Sequence, residues 1–171
     1  MAMRSCLVVS LALLASGCMP GGEPLLPELK GKWAAPNAAK LRYALAAERY
    51  ANPPAPAASG DCRNGYVVFE KHAVTVYANG QINPVLMVQN VKRDGTRVII
   101  DGGAPMVAGG KKLQIELVLR HDGDIRFDDI VDERGRSMRY DRFENAQAHR
   151  AGITTVGDVF ALVLDLKPCR A

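Results

Sequence analysis

This 171-residue chain has no long apolar run, and it lacks most of the motifs that announce chemistry. The apolar stretch from Cys6 to Leu14 is broken only by Ser10. It is far shorter than the roughly 18–20 residues a bilayer-crossing helix needs, so no mature helical span is expected. Serine is scarce: beyond Cys18 only Ser59 and Ser137 remain, and neither sits in a Gly-x-Ser-x-Gly turn. That excludes the nucleophile elbow of serine hydrolases. There is no His-Glu-x-x-His, no phosphate-binding glycine loop and no Cys-x-x-Cys. His72, His121 and His149 lie at unrelated spacings, whereas zinc sites usually cluster two ligands locally. No catalytic group, cofactor or metal site is assigned, and the chain reads as non-enzymatic. An excess of one charge is also missing. Lys and Arg total 22 against 18 Asp and Glu, a net charge of +4, and the two signs are interleaved. That is a solvated surface and not the basic face of a nucleic-acid binder.

The N-terminus carries the first positive signal. Arg4 precedes the short apolar run, and small residues end it. A basic start, a short apolar core and small residues at its end form an export signal. The end reads Ala15-Ser16-Gly17-Cys18, which resembles the lipobox of bacterial lipoproteins. The resemblance implies cleavage before Cys18 by signal peptidase II, diacylglycerol on its thiol and acylation of the new amino group. Residues 1–17 would then be a removed signal peptide. Two or more acyl chains hold a protein firmly at a membrane where one does not. Met19 follows, not the aspartate that in such lipoproteins favours the inner membrane. The implied address is the outer membrane, with the domain facing the periplasm.

Of the four cysteines, Cys6 leaves with the signal and Cys18 takes the lipid. The remaining pair, Cys62 and Cys169, reads as a disulfide in an exported chain. It would tie the start of the domain to its end.

Residues 18–28 contain three prolines and two glycines and read as an extended lipidated tether. The globular domain would then span residues 29–171, opening with a short strand over residues 29–33. Residues 37–50 are Ala-rich, with Asn37 as N-cap, and predict a helix. Residues 51–60 form a Pro-rich loop. Period-two patterning then takes over across 62–145. It predicts strands over residues 66–69, 74–77, 85–91, 97–100, 113–119, 125–131 and 138–143. Asn79-Gly80, Asp94-Gly95 and Asp122-Gly123 mark tight turns between them. Such short connections exclude a parallel sheet. The expected fold is mainly β: an antiparallel meander closed as a small barrel or strongly curved. The C-terminal element, residues 154–169, is read as a helix, although Phe160, Leu162, Leu164 and Leu166 also alternate as a strand would. Thr155 and Asp158 stand at capping-box spacing, and Val156, Val159, Phe160, Val163 and Leu166 share one face.

Three stretches could carry function. Asp122, Asp124, Asp128, Asp129 and Asp132 form an acidic run, but a glycine at the second position breaks the calcium-loop template. The run reads as hairpin ends, and a glycosidase-like carboxylate pair is not legible in it. Residues 134–143 interleave Arg with Tyr140 and Phe143, which reads as a solvated sheet face. The loop at residues 101–112 is glycine-rich around Pro105, Met106 and Val107. Its apolar tip between flexible glycines is the candidate contact loop.

Trp33 reads as a plug in the core. Gly31-Lys32-Trp33 is also similar to the Gly-x-Trp near the first strand of lipocalins and related barrels, including bacterial periplasmic protease inhibitors. That similarity implies an eight-stranded barrel whose tryptophan closes one end. It further implies either a cup for a small apolar ligand or a plug for a protease cleft. The primary expectation is a lipid-anchored interaction or scaffold module that docks an envelope protein. Large side chains at Leu113, Ile115, Leu117 and Phe127 would decide against the cup if they fill the interior.

Overall fold

The computed structural model describes residues 23–38, 40, 61–63, 65–78, 81–105 and 111–169. Within them the chain forms β1 (Lys32–Ala34), β2 (Gly65–Glu70), β3 (Ala73–Ala78), β4 (Gln81–Asp94) and β5 (Arg97–Gly103). They are followed by β6 (Lys112–Leu119), β7 (Ile125–Asp132), α1 (Ala146–Arg150), α2 (Val156–Leu164) and β8 (Lys167–Pro168). All eight strands join one antiparallel sheet in the order β7-β6-β5-β4-β3-β2-β1-β8. The meander is therefore as expected, because each hairpin pairs with its sequence neighbour.

The period-two pattern sets which face is dry. Val98, Ile100, Leu113, Ile115, Leu117 and Phe127 point inward and are buried, while Arg97, Gln114 and Glu116 alternate with them on the outside. The long strand β4 serves both halves of the sheet. Its first part pairs with β3 and its second with β5, and only Met87 pairs with both. The register shifts on either side of Met87, leaving Val85 and Gln89 as extra residues. Bulges add twist and bend a strand, so β4 turns a corner at Met87. Gly102 sits against that corner. A Cβ there would meet the Met87 carbonyl oxygen inside van der Waals contact and a Leu86 side-chain carbon at 3.1 Å.

The sheet curls but does not close into a barrel. Strand β8 has two residues, pairs only with β1, and ends on Pro168, which has no N–H to donate. The other edge, β7, meets this segment through one bridge, Ile125 with Leu166. Helix α2 lies inside the curl and packs on β7. Its Thr155–Asp158 capping box is present, and Val159, Phe160, Val163 and Leu164 are buried. Phe160 stacks on Phe127 with ring centroids 5.9 Å apart. The helix expected at the C-terminus is thus formed; it ends at Leu164 because Leu166 is drawn into the bridge with Ile125.

Other expectations are corrected. Residues 138–143 form no strand. The Asp132 carboxylate takes the N–H groups of Arg134 and Arg136, and Gly135 at φ 78° turns the chain back. Only Ser137 then bridges Val131. The meander ends at Asp132, not at residue 145. The strand expected over 29–33 begins at Lys32, after a 3-10 turn at Pro27–Leu29. The expected tether also shortens. The Leu25 N–H donates to the Phe69 carbonyl at 3.0 Å, Pro24 bridges Glu70, and Leu25 and Leu29 are buried. From Glu23 on, the chain is docked on the sheet. Of the helix expected over residues 37–50, only the opening lies within the described residues: Lys40 N–H donates to Asn37 O at 2.9 Å. The remainder, and the Pro-rich loop 51–60, lie outside them.

Candidate functional site

The disulfide between Cys62 and Cys169 is present, with Cα atoms 5.7 Å apart. It fastens the chain that leads into β2 to the residue that follows β8. The Cys169 N–H also donates to Lys32 O, so both ends of the domain are held at β1.

Trp33 is a plug. Its ring is buried, and its Nε1–H donates to Leu29 O at 3.1 Å. The tryptophan thereby holds the 3-10 turn against the end of the sheet. The interior it closes is full. Leu113, Ile115, Leu117 and Phe127 are buried with Phe69, Phe160 and Leu164 in one continuous core. The gap bordered by Val74, Leu86, Ile100, Ile115 and Leu164 has no room for a water molecule. Large inward side chains and a helix inside the curl leave no cup at that point.

The acidic run does not assemble. Asp122 accepts the N–H of Asp124 in its own turn, and Asp124 meets Lys167 Nζ at 3.3 Å. Asp128 meets Arg97 at 3.3 Å. Asp129 accepts the Ser137 hydroxyl at 2.7 Å. Asp132 holds the Arg134–Arg136 turn, and those N–H groups pull its carboxyl below the ordinary value against a partial burial cost. Each carboxylate has a local structural task. Among the described residues, no three His, Cys, Asp or Glu side chains gather as metal ligands. His149 lies in α1 against the Phe143 carbonyl, while His72 and His121 are exposed in turns.

The Arg-rich stretch is placed differently from the expected sheet face. Arg136 bonds Asp141 through both terminal nitrogens, at 2.8 and 2.9 Å. Arg139 lies over the Phe127 ring and donates to the Asp128 carbonyl, and Tyr140 beside it is 81 % exposed. These guanidiniums brace the chain after β7.

Of the candidate contact loop, Pro105 is exposed at the end of β5, while Met106 and Val107 lie outside the described residues, as does Cys18. The register brings the mouth of this loop beside features that the sequence did not connect. Gly103 pairs with Met87 on one side and Lys112 on the other. Met87 is 49 % exposed, because its cross-strand neighbours Ala73 and Gly103 are too small to cover it. Beyond Ala73 comes the β2–β3 turn, where Lys71 grips Glu23 by its backbone N–H and its Nζ, both at 2.8 Å. This rim of turn, Met87, Pro105 and Lys111–Lys112 is the candidate functional surface. Met87 was missed because a lone apolar residue in an alternating strand carries no signal; only the bulges that turn it out identify it.

No family model, curated protein or solved structure matches this chain. No helix among the described residues is long and apolar enough to cross a membrane.

Proposed function

We propose that the chain is a lipid-anchored envelope lipoprotein, held by acyl chains on Cys18, whose domain is a non-catalytic interaction or scaffold module. It faces the periplasm from the outer membrane. One observation carries the module reading: the interior is occupied by the protein's own helix and large side chains, so recognition falls to the outer surface. Asp124, Asp128, Asp132 and Asp141 are engaged in ion pairs and turns with Lys167, Arg97 and Arg136. A disulfide between the two ends of the domain suits an oxidising compartment. The lipobox resemblance at Ala15–Cys18 supports the anchor. The filled interior weighs against the lipocalin-like cup for a small apolar ligand.

Native mass spectrometry of the protein gently extracted from its own membranes tests both parts. The reading expects the mass of Cys18–Ala171 with acyl chains and a second protein attached. A mass without acyl chains overturns the anchor. A bound small molecule in place of a protein overturns the module and restores the cup.

A further inference from the structure

We propose that the rim formed by the β2–β3 turn, Met87, Pro105 and Lys111–Lys112 lies against the headgroup layer of the bilayer that holds the acyl chains. This rests on the anchor reading and adds an orientation to it.

The argument starts from the length of the leash. Glu23, the first of the described residues, is docked: its carbonyl accepts the Lys71 N–H at 2.8 Å, and the Pro24 bridge and the Leu25 bond follow directly. Cys18 lies five residues earlier. A chain spans at most about 3.3–3.6 Å per residue, so Cys18 stands no farther than about 18 Å from Glu23. The headgroup region of one leaflet is itself on the order of 5–8 Å deep. So short a leash keeps the end of the domain that carries Glu23 at the membrane surface.

That end also carries the side chains a membrane surface accepts. The register runs from His72, whose carbonyl accepts the Val88 N–H at 2.9 Å, through Met87 and Gly103 to Lys112. Adjacent strands lie about 4.8 Å apart, so the rim is roughly 14 Å wide from the turn to Lys112. Met87 and Tyr140 are the two exposed large apolar side chains among the described residues, and Met87 lies on this rim. Lys111 and Lys112 are exposed and have no ion-pair partner among the described residues. Of the acids nearby, Glu23 is held by Lys71, Asp101 by Asn90 and Gln114, and Asp132 by Arg136, while Glu70 and Glu133 have no ion-pair partner among the described residues. An apolar tip flanked on its β6 side by the unpaired Lys111 and Lys112 fits the boundary of an anionic leaflet, with the thioether among upper acyl carbons and the ammonium groups on phosphates.

The test uses the full chain, lipidated in bacteria and reconstituted into vesicles of phosphatidylethanolamine and phosphatidylglycerol. With Cys18 acylated and Cys62 bonded to Cys169, M87C adds a single free thiol for an environment-sensitive fluorophore. T96C is the control, exposed on the turn between β4 and β5 at the opposite end. K112C is a second rim site. Labels at 87 and 112 should shift to the blue on vesicles and lose most of their emission to a lipid-borne quencher, while the label at 96 does neither. Protein that floats with the vesicles while 87 and 112 stay aqueous overturns the orientation and leaves the anchor standing. Quenching at 96 equal to that at 87 does the same. Protein that carries no acyl chains and does not float overturns both.

Discussion

Substituting Asp158 by Asn tests how α2 is held in place. The Asp158 Oδ2 accepts the N–H groups of Thr154 and Thr155, each at 2.9 Å, and the Thr154 hydroxyl at 3.1 Å. The Asp158 N–H in turn donates to the Thr155 hydroxyl at 3.1 Å. Partial burial pushes the Asp158 carboxyl up, but the bonds it accepts from Thr154 and Thr155 outweigh it, and its pKa lies below the ordinary 3.8. D158N keeps the shape and an accepting oxygen but loses the charge at the helix N-terminus. Charge-assisted bonds are about twice as strong as neutral ones, and the helix dipole adds about 0.3–1 kcal/mol. The variant should therefore lose about 1–2 kcal/mol at neutral pH. A folded-state pKa below the unfolded value means the carboxylate stabilises the fold above about pH 4, and that stability fades as pH falls through the folded pKa. Asn does not titrate, so the gap between the two proteins should narrow on acidification. Urea unfolding followed by circular dichroism, at pH 7 and again near pH 2, reads this directly. A gap that persists undiminished in acid, or no gap at neutral pH, would refute the charged cap as the anchor of α2.

Further substitutions probe the core, the corner and the staple. F160A, which removes a buried ring stacked on Phe127, should cost about 3–5 kcal/mol in urea unfolding. G102A places a Cβ against the Met87 carbonyl, where backbone cannot yield easily. It should cost about 1–3 kcal/mol, seen as a lowered melting temperature. W33F keeps the plug but orphans the Leu29 carbonyl. It should lower stability by about 1 kcal/mol without changing the far-ultraviolet spectrum. Joining residues 107 positions apart, the disulfide should contribute up to about 4–5 kcal/mol by the chain-entropy account. Reductant should lower the urea midpoint of the wild type and leave a C62S/C169S protein unmoved.

The meander was legible because its strands have one dry face. Leu113, Ile115 and Leu117 alternate with Gln114, Glu116 and Val118, and a shift by one residue would bury the polar set. The capping box was legible because both partners sit within one turn of α2. What escaped depends on contacts between distant segments. Leu25 lies among prolines and reads as tether, and Leu29 reads as the start of a strand, yet Phe69 and Trp33 supply the partners that fix them. The alternation in residues 138–143 satisfies a strand template, but Asp132 and Gly135 turn the chain before a ladder forms. The bend in β4 follows from its having two partners, β3 and β5. The rim was invisible for the same reason: Lys71, Met87 and Lys112 meet only through the register.

The incomplete closure of the sheet and the full interior have one cause. A closed barrel needs a continuous ladder between its first and last strands. Here the last element to reach that seam is the chain leaving α2, which supplies Leu166 to β7 and two residues to β1. Asp165 adds a carboxylate that accepts the Phe127 N–H at 2.9 Å, so a side chain replaces a ladder bond at the seam. The seam is short because α2 takes up the preceding residues, and α2 is held inside because its apolar face fills the curl. A longer β8 would extend the ladder but pull the helix from the core, exposing Phe160 and Leu164. The chain thus fills, with its own helix and large side chains, the space that would be a ligand cup in a hollow barrel.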